Sequence, residues 1–342
     1  MVRAAPRFDG HYQPHLPGEL GFYDLRLPDT RAEQAALAAN NGIDAFCYYH
    51  YWFEGTRLLE RPFAEVLASG QPDFPFCLCW ANETWTRAWD GGENQILVRQ
   101  TYSAIDHERH ITWLLTAFKD RRYLKIDNKP VFLIYRPQDI PDSSAVLSNW
   151  RERAKSAGFD GLYFIGAKTG FGNSPADGAQ RTAFDAVLDF QPNRDDFPTD
   201  SNWRLFLMEA LRKYLPNAFY QKLKLNVSAL KRVDYNRLVE VKLGQYQQYR
   251  SITEGLPMVP CVFPSWDNSA RRKSPTIIQN LDPRRYAEWL KHAIEFSDAR
   301  KGEPGLVFVN AWNEWAEGCY LEPDFANGRD WLDATRLAVI KK

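Results

Sequence analysis

The chain has 342 residues, and its 43 Lys and Arg balance 43 Asp and Glu to a formal net charge of zero. That balance offers no phosphate-tracking surface and argues against nucleic acid as a partner. No apolar run approaches the roughly 18 residues of a membrane span, and the opening "MVRAAPRFDGHYQPHLPG" has no apolar signal core.

In chain order, the first helical pattern is "DTRAEQAALAANNG" (29–42), opened by a capping aspartate and closed at Gly42. Two strand patterns follow, "IDAFCYY" (43–49) and "FPFCLCW" (74–80). The helical spacing of "DHERHITWLLTAFKD" (106–120) leads to the strand "PVFLIY" (130–135). "SSAVLSNWRERAKSAG" (143–158) then leads to "GLYFIGA" (161–167), and "DAVLDFQ" (185–191) comes next. Residues 192–257 are long and hold helical pieces of their own, "SNWRLFLMEALRKYL" (201–215) and "DYNRLVEVKLGQYQQYR" (234–250). The strand "MVPCVFP" (258–264) precedes "DPRRYAEWLKHAIEFSDA" (282–299), whose Asp-Pro is an N-cap and N1 signature. The last strand, "GLVFVNAW" (305–312), precedes the closing helical pattern "GRDWLDATRLAVIKK" (328–342).

The strand runs are nearly continuous in apolar character, as parallel strands buried on both faces are. Strands alternating with helices predict a parallel α/β fold. An open doubly wound sheet and a closed (β/α)8 barrel compete. No Gly-rich phosphate loop follows any strand, so no nucleotide cofactor is expected and the doubly wound reading is weakened. Polar and aromatic clusters follow nearly every strand, from "HYWFEG" (50–55) to "NEWAEG" (313–318). A barrel builds its active site in this way, from many strand ends at one rim. The expectation is a TIM barrel over residues 1–342 as one domain, with an excursion at 192–257. Only seven strands can be counted where eight are required.

The five cysteines are odd in number, and four lie in strand-like runs. They read as buried free thiols of a reducing compartment, so a cytoplasmic location is expected. Six scattered histidines predict no metal site; His11 and His15 are four apart, but the prolines beside them forbid a helix.

The densest chemistry is "VNAWNEWAEGCYLEP" (309–323). Glu314 and Glu317 sit three apart at a strand end, with Asn313, Trp312 and Trp315 around them. Two carboxylates held together divide their pKa values, as an acid and a base or nucleophile at a glycosidic bond require. The alternative is a surface turn with incidental glutamates. "CLCWANETWTRAWDGG" (77–92) interleaves Asn82, Glu83, Arg87 and Asp90 with Trp80, Trp85 and Trp89. Flat apolar walls with forked donors and acceptors suit a polyol, although structural tryptophans in a packed loop look the same. In "CYYHYWFEG" (47–55), Tyr49, His50 and Trp52 are candidates for substrate contact, against a satisfied core histidine. "PSWDNSARRKSP" (264–275) offers Trp266, Asp267 and Asn268, and its Arg271–Arg272 pair is either an anion clamp or solvated charge. Gln191, at another strand end, is a weaker candidate for substrate contact.

With these stretches in view, the chain resembles the glycosyltransferase WbsX-like family, related to glycoside hydrolase family 99, the endo-α-mannosidases. "GHYQPHLPGELGFYDLRLPD", "GIDAFCYYHYWFEG", "FPFCLCWANETWTRAWDG", "PSWDNSARR" and "NAWNEWAEG" carry the resemblance. It implies a (β/α)8 barrel and a bacterial polysaccharide or O-antigen setting. It also implies that Glu314 deprotonates a sugar 2-hydroxyl, whose oxygen attacks the anomeric carbon, while Glu317 serves as acid and then base. The resemblance further implies an upstream first strand, absent before "MVRAAPRFDGHYQPH". Either the start was set late or the barrel lacks its first strand and is open on one side; an open barrel is expected to have reduced stability, with its activity at risk. Three functions stay open: a retaining glycosidase or transglycosidase on an α-linked glycan, a glycosyltransferase using an activated donor, and a non-catalytic glycan-binding barrel. No Asp-x-Asp motif sits beside a strand to support the second.

Overall fold

The structure is a computed structural model, and it describes residues 4–87, 92–170, 183–198, 230–249, 255–272, 274–300, 302–303 and 305–340. All seven strand patterns form strands: β1 (Phe46–Phe53), β2 (Phe76–Trp80), β3 (Lys129–Ile134), β4 (Tyr163–Ala167), β5 (Ala186–Asp189), β6 (Met258–Val262) and β7 (Phe308–Val309). Each pairs in parallel with the next one in the chain. The order never reverses, so the sheet has no switch point of the doubly wound kind. The fold is therefore mixed α/β on a parallel sheet.

Continuous burial explains the composition of the central strands. All five residues of β2 are buried, and Val131 to Ile134 of β3 are at most 1% exposed. One face of the sheet meets the helices Ala104–Phe118 and Ser143–Ser156, where Trp150 stacks on Trp80 with centroids 6.1 Å apart. At the other end of the sheet, Trp289 of the helix Pro283–Asp298 packs edge-on to Phe263 just past β6. Tyr286 of that helix meets Trp331 of the last helix, Asp330–Val339.

Along its upper half β1 is paired to the short strand Thr56–Leu58. Among the described residues, no strand hydrogen-bonds β1 to β7. That seam is bridged by side chains, with the Trp312 and Phe46 rings 5.3 Å apart. The half-buried state of Phe46 to Tyr48 and of Leu306 to Val309 follows from it.

Local signals held in part. Asp282 caps the helix Pro283–Asp298 as its Asp-Pro signature requires, accepting from the Arg284 N–H at 2.9 Å. The first helix runs Pro28–Asn40 with Leu27 at its cap, so Asp29 lies in the first turn and is not the cap. Pro28 at the first helical position sets that start, because its fixed φ is already helical.

Within 192–257, the described part contains a helix Tyr235–Tyr249 between β5 and β6. Its Lys242, fully buried, places its ammonium on Asp189, on Asp196 at 3.1 Å and on Gln245 at 2.7 Å. This charge cluster fastens the helix to the end of β5. The helical pattern at 201–215 lies outside the described residues. All five cysteines are free, and four are buried. Among the described residues, no helix is long and apolar enough to cross a membrane.

Candidate active site

Past β7, the segment Asn313–Glu314 pairs antiparallel with Cys319–Tyr320, and the 3-10 turn Trp315–Glu317 links them. Gly318 closes the turn at φ +56°, and a Cβ there would sit 3.0 Å from the Asp267 N and O. Glycine is thus required both for its backbone conformation and for the close approach. The turn is braced from beneath. Trp315 stacks on Tyr320 at 3.8 Å and donates its indole N–H to Glu322 at 2.7 Å. Glu322, 1% exposed, also accepts from the Tyr23 hydroxyl at 2.7 Å and the Gln34 amide at 2.6 Å. Tyr23 in turn accepts from the Asn313 amide at 3.1 Å. Burial raises the pKa of Glu322, and its donors work against that rise.

Glu314 and Glu317 converge on one cation. Arg271 Nη1 donates to Glu317 Oε1 at 3.2 Å and lies 3.9 Å from Glu314 Oε1. Those two distances bound the separation of the oxygens well inside the ~9.5 Å upper limit of glycosidase carboxyl pairs. Burial raises both pKa values and Arg271 lowers both. The surroundings then separate the two groups. The N–H groups of Ala316 and Glu317 favour the ionised form of Glu314, whereas the charges of Glu314 and Glu83 raise Glu317 further. One carboxyl is thereby biased toward base and the other toward acid.

The remaining wall comes from other strand ends. Tyr51 is pushed up to about 12, by burial first and then by the Glu314 charge. Tyr135 is raised by burial and by Glu83, with a contribution from Glu317. Trp85 meets Tyr51 edge-on at 5.0 Å. Glu83 accepts from Arg136 Nε at 2.8 Å and Nη2 at 2.5 Å, while Arg136 Nη1 donates to Thr169 at 3.0 Å. Tyr51, Tyr135, Arg136 and Arg271 were not among the residues the sequence singled out most firmly. Their signal was position at a strand end, as for Arg136 just after β3.

The other candidates divide by location. Trp312 fills the seam beside β1, and Asn313 and Trp315 brace the turn. Asn82 is 1% exposed and clasps the backbone of Arg136 through both ends of its amide. Gln191 is fully buried and donates to Asp196 at 2.7 Å. Asn268 folds its own loop, accepting from the Thr276 N–H through its side chain and from the Arg271 N–H through its carbonyl. Arg87 lies on the hairpin beyond Trp85, where it donates to Gln95. Tyr49 is 43% exposed on the same side of β1 as Tyr51.

His50, Trp52 and Trp80 are not brought to the glutamates. They point to the helix side of the sheet, where His50 stacks on Trp113 at 4.7 Å and meets the His110 ring nitrogen at 2.9 Å. Alternation along β1 sends Tyr49 and Tyr51 one way and His50 and Trp52 the other. Burial drops the pKa of His50 to about 3. Asp267 and Trp266 border a different hollow. Trp89 and Asp90 lie outside the described residues.

The family whose model matches this chain is described as Glycosyltransferase WbsX, over residues 1–335. "Uncharacterized protein WxcX" of Xanthomonas campestris pv. campestris is 37% identical over 343 aligned positions, which take in 100% of this chain and 46% of the relative. Its counterpart in strain B100 matches to the same degree. The chain thus spans about half the length of the curated relatives it matches. Among solved structures, a "Glycoside hydrolase-like protein" is similar with a TM-score of 0.64 at 17% identity, covering 98% of this chain and 92% of that one. The GH99 endo-alpha-mannosidase from Bacteroides thetaiotaomicron, in complex with bis-tris-propane, is similar with a TM-score of 0.56 at 13% identity, covering 95% and 87%. At such identities the likeness is one of fold.

Proposed function

The chain belongs to the glycosyltransferase WbsX family, and we propose that it acts on an α-glycosidic bond of a glycan, with retention of configuration, through Glu314 and Glu317. The observation that carries this reading is the single guanidinium nitrogen of Arg271 that reaches both carboxylates.

Glu314 takes the proton of the sugar 2-hydroxyl as O2 bonds to C1. The C1–oxygen bond to the leaving group breaks as Glu317 gives that oxygen its proton. In the second half Glu317, now ionised, removes a proton from the incoming water or acceptor hydroxyl. The incoming oxygen bonds to C1, the O2–C1 bond opens, and O2 recovers its proton from Glu314. Two inversions at C1 leave the configuration retained, and each step is intramolecularly favoured or acid–base assisted. Tyr51, Tyr135 and Trp85 form the wall, and Glu83 with Arg136 supplies an oriented polar edge for sugar hydroxyls.

We extend this to the architecture. Seven parallel strands in unbroken chain order accord with a (β/α)8 barrel that lacks its first strand, and residues 1–342 are read as one such domain. The free thiols accord with a reducing, cytoplasmic compartment.

The test uses α-mannooligosaccharides and aryl α-mannosides, with proton NMR following the first-formed anomer. An α product is expected first. Glu317→Gln should lose natural-substrate turnover but recover it on an aryl glycoside with a good leaving group, whereas Glu314→Gln should not recover. A β anomer formed first, or undiminished turnover in Glu314→Gln, would refute the assignment.

A further inference from the structure

A second hollow, of about 480 Å³, lies beside the catalytic turn. Neither glutamate lines it, but Gly318, the residue after Glu317, does. Its walls include Tyr12, Trp266, Tyr320 and Trp331, and its polar lining includes the amides of Asn280 and Asn327. The size falls within the range of small-molecule sites.

The charge of the hollow selects a ligand class. Asp267 is the one carboxylate among its described lining residues, and its hydrogen bonds are already taken. The Arg7 N–H donates to His11 Nδ1 at 2.9 Å, so His11 Nε2 carries the proton and donates to Asp267 at 2.7 Å. Gln13 donates to Asp267 at 2.6 Å and the Ser269 N–H at 2.9 Å. Asp267 keeps its charge, but its oxygens are buried and taken up by these donors, so they organise the wall and do not face the hollow. Among the described residues no lysine or arginine lines the hollow either, so a phosphate or nucleotide finds no anchor in that wall. Asn280 and Asn327 already donate their amides to Asp234 and Asp324, so what remains is flat aromatic surface with a phenol, which meets the C–H faces and a hydroxyl of a neutral sugar.

Tyr12 stands out. It is 40% exposed yet held edge-on to His15 at 5.1 Å. His15 is fixed in turn by the Tyr320 hydroxyl at 2.6 Å, and Tyr320 donates to Asp324 at 2.7 Å. A large aromatic ring kept at the mouth of a hollow is a platform with little rotamer freedom left to lose on binding.

We infer that this hollow is a second, non-catalytic subsite for a neutral pyranose, which holds a glycan beside the catalytic turn. The choice of a sugar rests on the glycan reading above, but the subsite is tested without turnover. The Glu314→Gln/Glu317→Gln double variant is titrated with methyl α-mannoside, methyl α-glucoside and methyl α-galactoside, followed by saturation-transfer NMR and calorimetry. One of the three should bind. Adding Tyr12→Ala, an exposed position, should weaken that binding at least tenfold with the thermal midpoint unchanged, and Trp266→Leu, which also touches the core, should weaken it as much with a lowered midpoint. Binding insensitive to both changes, or binding of none of the three, overturns the subsite. So does a nucleotide sugar that binds more tightly in a Tyr12-dependent way. Failure here leaves the glutamate mechanism standing, because that is read from turnover and product anomer.

Discussion

Replacing Arg271 with Gln removes the only cation within 4.0 Å of both glutamates among the described residues. At the 3.2 Å that separates Arg271 from Glu317, a unit charge pair is worth ~1.3 kcal/mol in water and ~5 kcal/mol at an effective dielectric of about 20. The side chain of Arg271 is 39% exposed and that of Glu317 17%, so solvent screening brings the value toward the lower end. About 1.5–2 kcal/mol of stabilisation of the ionised Glu317 is therefore lost, and its midpoint should rise. Glu314 is farther away and more exposed, so its rise should be smaller. The sign follows from the charge: the guanidinium favours the ionised carboxylates, and losing it favours the protonated forms. Both limbs of the pH–rate profile should therefore move upward, the alkaline limb more. The direct assay is a carbon-13 NMR titration of labelled glutamate carboxyls, assigned with Glu314→Gln and Glu317→Gln. Arg271→Lys, which keeps the charge, should return the Glu317 midpoint most of the way. A Glu317 midpoint that is unmoved or lowered in Arg271→Gln would refute the electrostatic account of the pair.

Three further outcomes test other parts of the structure. His50→Ala should cost about 2–3 kcal/mol in urea unfolding by removing the ring that stacks on Trp113 and meets His110, while KM for a glycan stays unchanged; a large rise in KM would put His50 back in the binding site. Lys242→Met should cost about 3–5 kcal/mol, because it strands the buried Asp189 and Asp196, and a neutral result would mean that those carboxylates reach water. Gly318→Ala should cost about 1–3 kcal/mol for the positive φ and the contact with the Asp267 backbone. It should also lower kcat more than it raises KM, since the turn that carries Glu317 must shift.

The strand framework was legible because parallel strands buried on both faces are written as apolar runs, and each of the seven runs became a strand. Which side of a strand each residue faces was less legible. "CYYHYWF" is aromatic at nearly every position, so its composition does not reveal the alternation that sends Tyr49 and Tyr51 away from His50 and Trp52. That parity depends on the helix Ala104–Phe118 packing against one face only, which is a tertiary fact. The glutamate pair was legible because three-residue spacing on a tight turn keeps both groups on one side. Arg271 was visible in sequence as a charge but not as a partner, because 43 residues separate it from Glu314. Arg136 was hidden by its plain context after β3; its importance comes from Asn82 and Glu83, which reach it from the end of the neighbouring β2.

Saturation separates the polar residues that build the rim from those available to react. Glu322 takes three donors from three segments of the chain. Asp267 takes His11, Gln13 and a backbone N–H, and Asp189 and Asp196 share Lys242. A carboxylate so filled is stabilised where it stands, and giving it a proton would break bonds that cannot be remade with water. Glu314 and Glu317 differ. Their one side-chain partner among the described residues is shared, long for a charged pair, and half open to solvent. The proton of either glutamate can therefore come and go without dismantling the turn. The saturated residues make this possible, since a turn held by Glu322, Tyr320 and Asp267 does not need Glu314 and Glu317 to hold it in place.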